Sequence, residues 1–157
     1  IATNNGEIAT LSSSSIDGSA TLNIGTGVTW TAASTLTMYG GSGGLNVAPA
    51  TLDMRNGAQA TFTTTDLTWT TITAQGGCNL TWLAGGTITT YTATNGCTLD
   101  KSGDGRTLTI TNSTIDGDSC SFNDPLNAIV FTNPTTVKQS VTSGPFTFTG
   151  SRTVRVQ

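Results

Sequence analysis

Five of the nine acidic residues fall in one stretch: Asp100, Asp104, Asp116, Asp118 and Asp124. Carboxylates gathered in this way suit two chemistries. Glycoside hydrolysis needs two of them about 5 to 9.5 Å apart across the scissile bond. Stacking of successive segments would bring Asp100 to Asp124, or Asp104 to Asp118, to such a separation. Calcium needs closely spaced carboxylates together with turn carbonyls, which makes Asp116 and Asp118 the candidate metal ligands, for a structural calcium. Asp before Gly is also ordinary turn chemistry, and Asp100-Lys101-Ser102-Gly103-Asp104-Gly105 and Asp116-Gly117-Asp118 read first as turns. The chain has no His. That removes Ser-His-Asp and Cys-His nucleophile activation and His-ligated metals. No further cofactor is implied, no catalytic constellation stands out, and the expectation is a protein that is not an enzyme.

Three other residue sets carry potential chemistry. Cys78, Cys97 and Cys120 are an odd number, so at most one disulfide closes within the chain. Each occupies the same place in a repeat (Gly77-Cys78-Asn79-Leu80, Gly96-Cys97-Thr98-Leu99, Ser119-Cys120-Ser121-Phe122), which fits an inward stack of small apolar side chains ahead of redox or metal chemistry. Sugars stack on aromatic faces. Trp30, Trp69 and Trp82 lie on the apolar phase of their segments and belong in a core, leaving Tyr39 and Tyr91 as the candidate exposed rings for glycan binding. Thr-x-Thr pairs recur at Thr29/Thr31, Thr35/Thr37, Thr61/Thr63, Thr68/Thr70, Thr87/Thr89, Thr92/Thr94, Thr107/Thr109 and Thr147/Thr149. Ranks of such pairs on a flat face resemble the surface of ice-binding β-solenoids. Against that, the middle residue is usually large and needed inside, and an uneven repeat length disturbs a regular array.

The elements that must position these residues follow from composition and period. Thirty-five Thr and 14 Ser make up nearly a third of the 157 residues, and only 10% are charged. Thr, Ser, Gly and Asn are weak helix formers, and no segment has helical spacing. Six basic against nine acidic residues cannot supply a nucleic-acid interface. The longest apolar run, Ala128-Ile129-Val130-Phe131, is far below the ~18 residues that span a bilayer, so no membrane partner is expected. The chain begins at Ile1 without Met and is read as processed, trimmed or part of something longer. Apolar and small polar residues alternate at Thr21-Leu22-Asn23-Ile24, Thr51-Leu52-Asp53-Met54, Ala60-Thr61-Phe62-Thr63, Leu67-Thr68-Trp69-Thr70 and Thr107-Leu108-Thr109-Ile110, among others. Period two is the half-buried strand, and β-branched Thr suits its outer face. Gly and Asn punctuate these strands at Asn56-Gly57, Gly76-Gly77, Gly85-Gly86 and Asn95-Gly96. The chain reads as all-β.

Repeats then point to one architecture. The segments containing Leu22, Leu36 and Leu52 share the form small-small-Thr-Leu-polar-Ile/Met, the Cys repeats are spaced 19 and 23 residues apart, and Ser15-Ile16-Asp17 is echoed by Thr114-Ile115-Asp116. Degenerate repeats of strand and turn at this length predict a β-solenoid with stacked columns of like residues. The alternative is an antiparallel β-sandwich or jelly roll. Residues 1–131 read as solenoid repeats. Residues 132–157, with cleaner alternation and with Lys138, Arg152 and Arg155, read as a C-terminal cap or oligomer contact within the same domain.

The Thr-Leu-x-Ile/Met rungs, the Asn-Gly turns and Asn112-Ser113-Thr114-Ile115-Asp116-Gly117 resemble coils of right-handed parallel β-helix proteins of the pectin-lyase-like kind, across about residues 14–131. That resemblance implies phage fibre, spike and decoration proteins and bacterial surface adhesins as the company of this chain. The expectation is therefore a structural or interaction module of an extracellular assembly, most of all a phage virion appendage. Its location would be extracellular or on a virion surface. Its partners would be other proteins of the assembly, copies of itself, or glycans. A glycan-binding adhesin is the alternative, followed by ice binding and polysaccharide degradation.

Overall fold

A computed structural model describes residues 9–11, 14–17, 21–24, 28–30, 35–40, 42–45, 50–63, 67–116, 119–138, 147–149 and 154–156. Among these there is no helix, and strands pair in parallel throughout, in a seven-stranded and a nine-stranded sheet with a two-stranded pair beside them. Parallel neighbours that are one repeat apart in sequence define a β-solenoid and dispose of the antiparallel sandwich.

One coil visits three ranks of strands. Thr51–Arg55 lies in the nine-stranded sheet and Gln59–Phe62 in the seven-stranded sheet; Leu67–Gln75 then opens the next coil. Leu67–Gln75, Gly86–Thr94 and Leu108–Asp116 each run nine residues, but the pairing skips Thr70, Thr89 and Thr111. Each of these long strands bends there and serves two faces, 67–69 on one and 71–75 on the next. Alternation along them follows the period read from sequence: Trp69, Ile72 and Ala74 are buried, while Thr68 and Thr70 are exposed.

The columns are long. Ile16, Met38, Met54, Ala74, Ala93, Ile115, Val137 and Val156 succeed one another in register, and Leu80 stands between Ala60 and Leu99, followed by Phe122. The echo of Ser15-Ile16-Asp17 in Thr114-Ile115-Asp116 is thus one column position seen in different coils. The first Leu repeat needs correction. Leu36 pairs directly with Leu52, but Leu22 lies in the other sheet opposite Gly43, because the 14-residue step crosses from one face to another and only the 16-residue step completes a coil.

A single interior holds the apolar columns. Phe62 stacks on Trp82 at 4.2 Å and meets Trp69 edge-on at 5.4 Å; Phe122 packs against Tyr91 and Phe131. Burying a side chain of this size contributes about 1.5–3 kcal/mol, and this packing replaces the helix–sheet layers of larger folds.

The turn from the nine-stranded to the seven-stranded sheet is repeated almost without change. Asn56-Gly57, Gly76-Gly77 and Asn95-Gly96 each place two successive residues at positive φ, from 54° to 78°. Only Gly, and Asn at lower cost, takes up that conformation readily, which is why this corner is spelled the same way each time. The turns are also cross-linked: Gly57 N–H donates to the Gly76 carbonyl at 2.8 Å, and Gly77 N–H to that of Asn95 at 2.8 Å. Gly86 serves a different need. A Cβ there would lie 2.8 Å from the Leu67 carbonyl oxygen and 3.0 Å from the Trp82 ring.

The C-terminal strands Thr135–Lys138, Thr147–Thr149 and Val154–Val156 continue the two ladders, pairing with Leu108–Asp116, Ser121–Asn123 and Thr135–Lys138 respectively. Arg152 lies outside the described residues.

Candidate functional site

The most regular surface of the molecule is made of threonine. On the face formed by 67–69, 86–88 and 108–110, Thr68, Thr87 and Thr109 are paired in register, with Val130 next in the column. Thr70, Thr89 and Thr111 stand two residues further along each coil, and Thr132 follows, its N–H donating to the Ile110 carbonyl at 2.9 Å. On the adjoining face, Thr35, Thr51, Thr71 and Thr90 form one column; Thr37, Asp53, Thr73, Thr92, Thr114 and Thr136 form the second. Column neighbours repeat at about 4.8 Å and row neighbours at about 6.5–7 Å, the spacings of strands and of alternate residues in a sheet. The residues between the pairs (Trp69, Ile88, Ile110, Leu52, Ile72, Tyr91) are buried. The large middle residue that argued against a hydroxyl lattice is therefore the anchor that holds the pair outward.

Uneven coil length does not disturb these ranks either. Three residues link Trp82 to Gly86, seven link Asp100 to Leu108 and five link Asn123 to Ile129. The links at that corner differ in length while the flat faces keep register. Of the Thr pairs in the sequence, Thr68/Thr70 and Thr87/Thr89 belong to this array, whereas Thr71/Thr73 and Thr90/Thr92 were missed because the bends at Thr70 and Thr89 change the phase. The signal was there in the doubled Thr70-Thr71 and Thr89-Thr90.

The acidic stretch comes apart. Asp100 and Asn123 are paired on the outer side of the seven-stranded sheet, and Asn123 Nδ2 donates to Asp100 Oδ1 at 3.0 Å. Asp124, one residue on, turns inward and is fully buried. Its Oδ1 accepts the Ala128 N–H at 2.7 Å and its Oδ2 the Ile129 N–H at 2.9 Å. Asp100 and Asp124 thus do not face a common substrate. Asp104 accepts from the buried Lys101 ammonium at 2.6 Å, with Arg106 at 3.5 Å. The hydrogen bond from Lys101 holds the Asp104 carboxyl below the usual carboxylate range. Lys101 and Asp124 were not singled out as a pair, although both follow the inward phase of the column that contains Phe62 and Trp82. They pin the variable corner from inside.

Asp116, the candidate calcium ligand, stands in register between Thr94 and Lys138. Asp118 lies outside the described residues. Among the described residues no group of three or more His, Cys, Asp and Glu side chains is arranged to hold a metal ion.

The two tyrosines differ from expectation. Tyr39 ends the strand Thr35–Tyr39 opposite Asp17 and Arg55, and its side chain lies outside the described residues. Tyr91 is fully buried, which corrects its assignment as an exposed glycan platform: its position is the inward member of Thr90-Tyr91-Thr92, once the bend at Thr89 resets the alternation. Burial pushes its phenol well above the ordinary range, with Cys97, Cys120 and Cys78 adding to the effect. The Tyr91 hydroxyl has no hydrogen-bond partner among the described residues. An unsatisfied buried donor costs about 1–3 kcal/mol, so Tyr91→Phe is expected to leave the melting temperature unchanged or raise it. A fall of several degrees would show that the hydroxyl has a structural role.

The cysteines stack as expected. Thr98 N–H donates to the Cys78 carbonyl and Ser121 N–H to that of Cys97, both at 2.9 Å, which sets Cys78, Cys97 and Cys120 on successive rungs, all buried.

These features define a class: a threonine-faced parallel β-solenoid whose coils are registered on the flat faces and variable at one corner. No family model, no curated protein and no solved structure matches the chain.

Proposed function

We propose that this chain is a non-enzymatic structural and interaction module of an extracellular assembly, with a phage virion appendage as the leading case and the pectin-lyase-like β-helix resemblance as its context. The observation that carries the reading is the pair of adjoining Thr-rich faces held in register over successive coils, interrupted by the Asp53–Arg55 ion pair. Small hydroxyl side chains with branched, restricted rotamers lose little entropy when another surface covers them. Their regular spacing suits contact with an equally regular partner: a protein lattice, a second solenoid or an ordered glycan. Asp104 and Asp124, by contrast, are engaged within the corner links.

Electron microscopy of the source particle tests this directly. A rod-like protrusion accounted for by this chain is the expected result, and a free monomer absent from every particle overturns it. A surface variant sharpens the test. Thr87→Arg with Thr89→Arg is expected to shift stability by no more than about 0.5 kcal/mol per site, as for ordinary surface changes, while lowering incorporation into the particle at least tenfold. Unchanged incorporation would mean that this face makes no contact.

A second reading, ice binding, is favoured by the same array, because the register of Thr68/Thr87/Thr109 and Thr70/Thr89/Thr111 survives the uneven coil lengths. Thermal hysteresis and ice shaping by the wild type, both lost in the double Arg variant, would select it.

A further inference from the structure

The interior carries a second regular feature, the column of thiols. Cys78 and Cys97 each follow the same two-residue left-handed turn, Gly76-Gly77 and Asn95-Gly96. Their thiols are oriented alike, Cys78 Sγ donating to the Gln75 carbonyl at 3.2 Å and Cys97 Sγ to the Thr94 carbonyl at 3.1 Å. Paired residues on neighbouring parallel strands have Cα atoms about 4.8 Å apart, inside the 4.4–6.8 Å range that a disulfide spans. Cys120 is set differently. The link before it is one residue longer, and Ser119 adopts φ 61° immediately ahead of it.

We propose that Cys78 and Cys97 are a modification site: a cross-rung disulfide that clips two consecutive coils, with Cys120 left as a thiol. The two thiols are chemically equivalent in the exchange; with Cys78 attacking first, Cys97 is the resolving thiol. With a small disulfide such as oxidised glutathione as oxidant, the Cys78 thiolate attacks one glutathione sulfur. A mixed disulfide forms and one glutathione thiolate leaves. Cys97 then gives up its proton and attacks Sγ of Cys78, releasing the second glutathione. The pair loses two electrons and two protons, and the oxidant is reduced to two glutathione molecules. Because both thiols are buried in the finished fold, the exchange belongs to folding, before the coil closes. Persistence of the bond in the source rests on the extracellular reading above.

The positions of Lys and Arg make the test decisive. Trypsin releases 56–101, which contains Cys78 and Cys97, and 107–138, which contains Cys120. The full chain is refolded in a reduced/oxidised glutathione buffer, alkylated under denaturing conditions, digested and weighed. The expected map has 56–101 unalkylated and lighter by two hydrogens, and 107–138 alkylated once. Alkylation of both cysteines in 56–101, or a linked 56–101/107–138 product, overturns the proposal. The oxidised wild type and Cys120→Ser are expected to melt at least about 4 °C above their reduced forms, and Cys97→Ser to show no such difference. Equal melting of oxidised and reduced wild type also counts against the clip. A linked refolded chain that is nevertheless reduced when isolated from its source would count against the extracellular reading and leave the site standing.

Discussion

Asp124→Ala is expected to destabilise the protein by about 2–4 kcal/mol, read as a shift in urea midpoint. The carboxylate is fully buried and accepts two backbone N–H groups, from Ala128 and Ile129. Removing it leaves two donors in the interior, each costing about 1–3 kcal/mol when unpaired. Asp124→Asn keeps one acceptor and should lose about half as much. Asp116→Ala, in the same acidic stretch but partly exposed on the nine-stranded sheet, should stay within about 0.5 kcal/mol. Equal effects of Asp124→Ala and Asp116→Ala would remove the distinction drawn between corner pin and turn residue.

The largest loss is expected at Trp82. Its ring is fully buried and stacked on Phe62 at 4.2 Å, where consecutive coils of the seven-stranded sheet meet. Trp82→Ala opens a ring-sized cavity in a column that cannot collapse, since the rungs above and below are fixed by backbone pairing; about 3–5 kcal/mol is expected. Trp82→Phe should recover most of that loss. It keeps an aromatic face for Phe62 and deletes an indole N–H that has no partner among the described residues. If Trp82→Phe unfolds the protein as readily as Trp82→Ala, the interior depends on the indole itself and the column account fails.

Much of this was legible in the sequence because strand alternation and turn chemistry are local. Thr51-Leu52-Asp53-Met54 announces its buried face, and Asn56-Gly57 with Asn95-Gly96 announces a turn that only a left-handed backbone can make. The Cys column was legible because each Cys stands one residue ahead of a strand of the same sheet. Three things were not. The bends at Thr70, Thr89 and Thr111 shift the phase inside an unbroken run of strand residues, so Tyr91 read as outward when it is a core ring. Leu22 was aligned with Leu36 because both faces use the same small-Thr-Leu spelling, and nothing local distinguishes one sheet from the other. Lys101 and Asp124 looked like surface turn residues, since their burial follows from which coil lies beside them and not from their neighbours in the chain.

The corner that absorbs the differences in coil length has a consequence for how such a chain can change. One edge of the prism takes three, five or seven residues without altering the pitch of the faces, whereas the stacked Asn56-Gly57, Gly76-Gly77 and Asn95-Gly96 turns belong to links of three residues each. Added residues are thus admitted at the first edge, around 102–106, while the adjoining faces keep their ruling. Diversification along that edge would leave the hydroxyl ranks intact, so a lineage could vary what it displays on one side while conserving how it mates on the other.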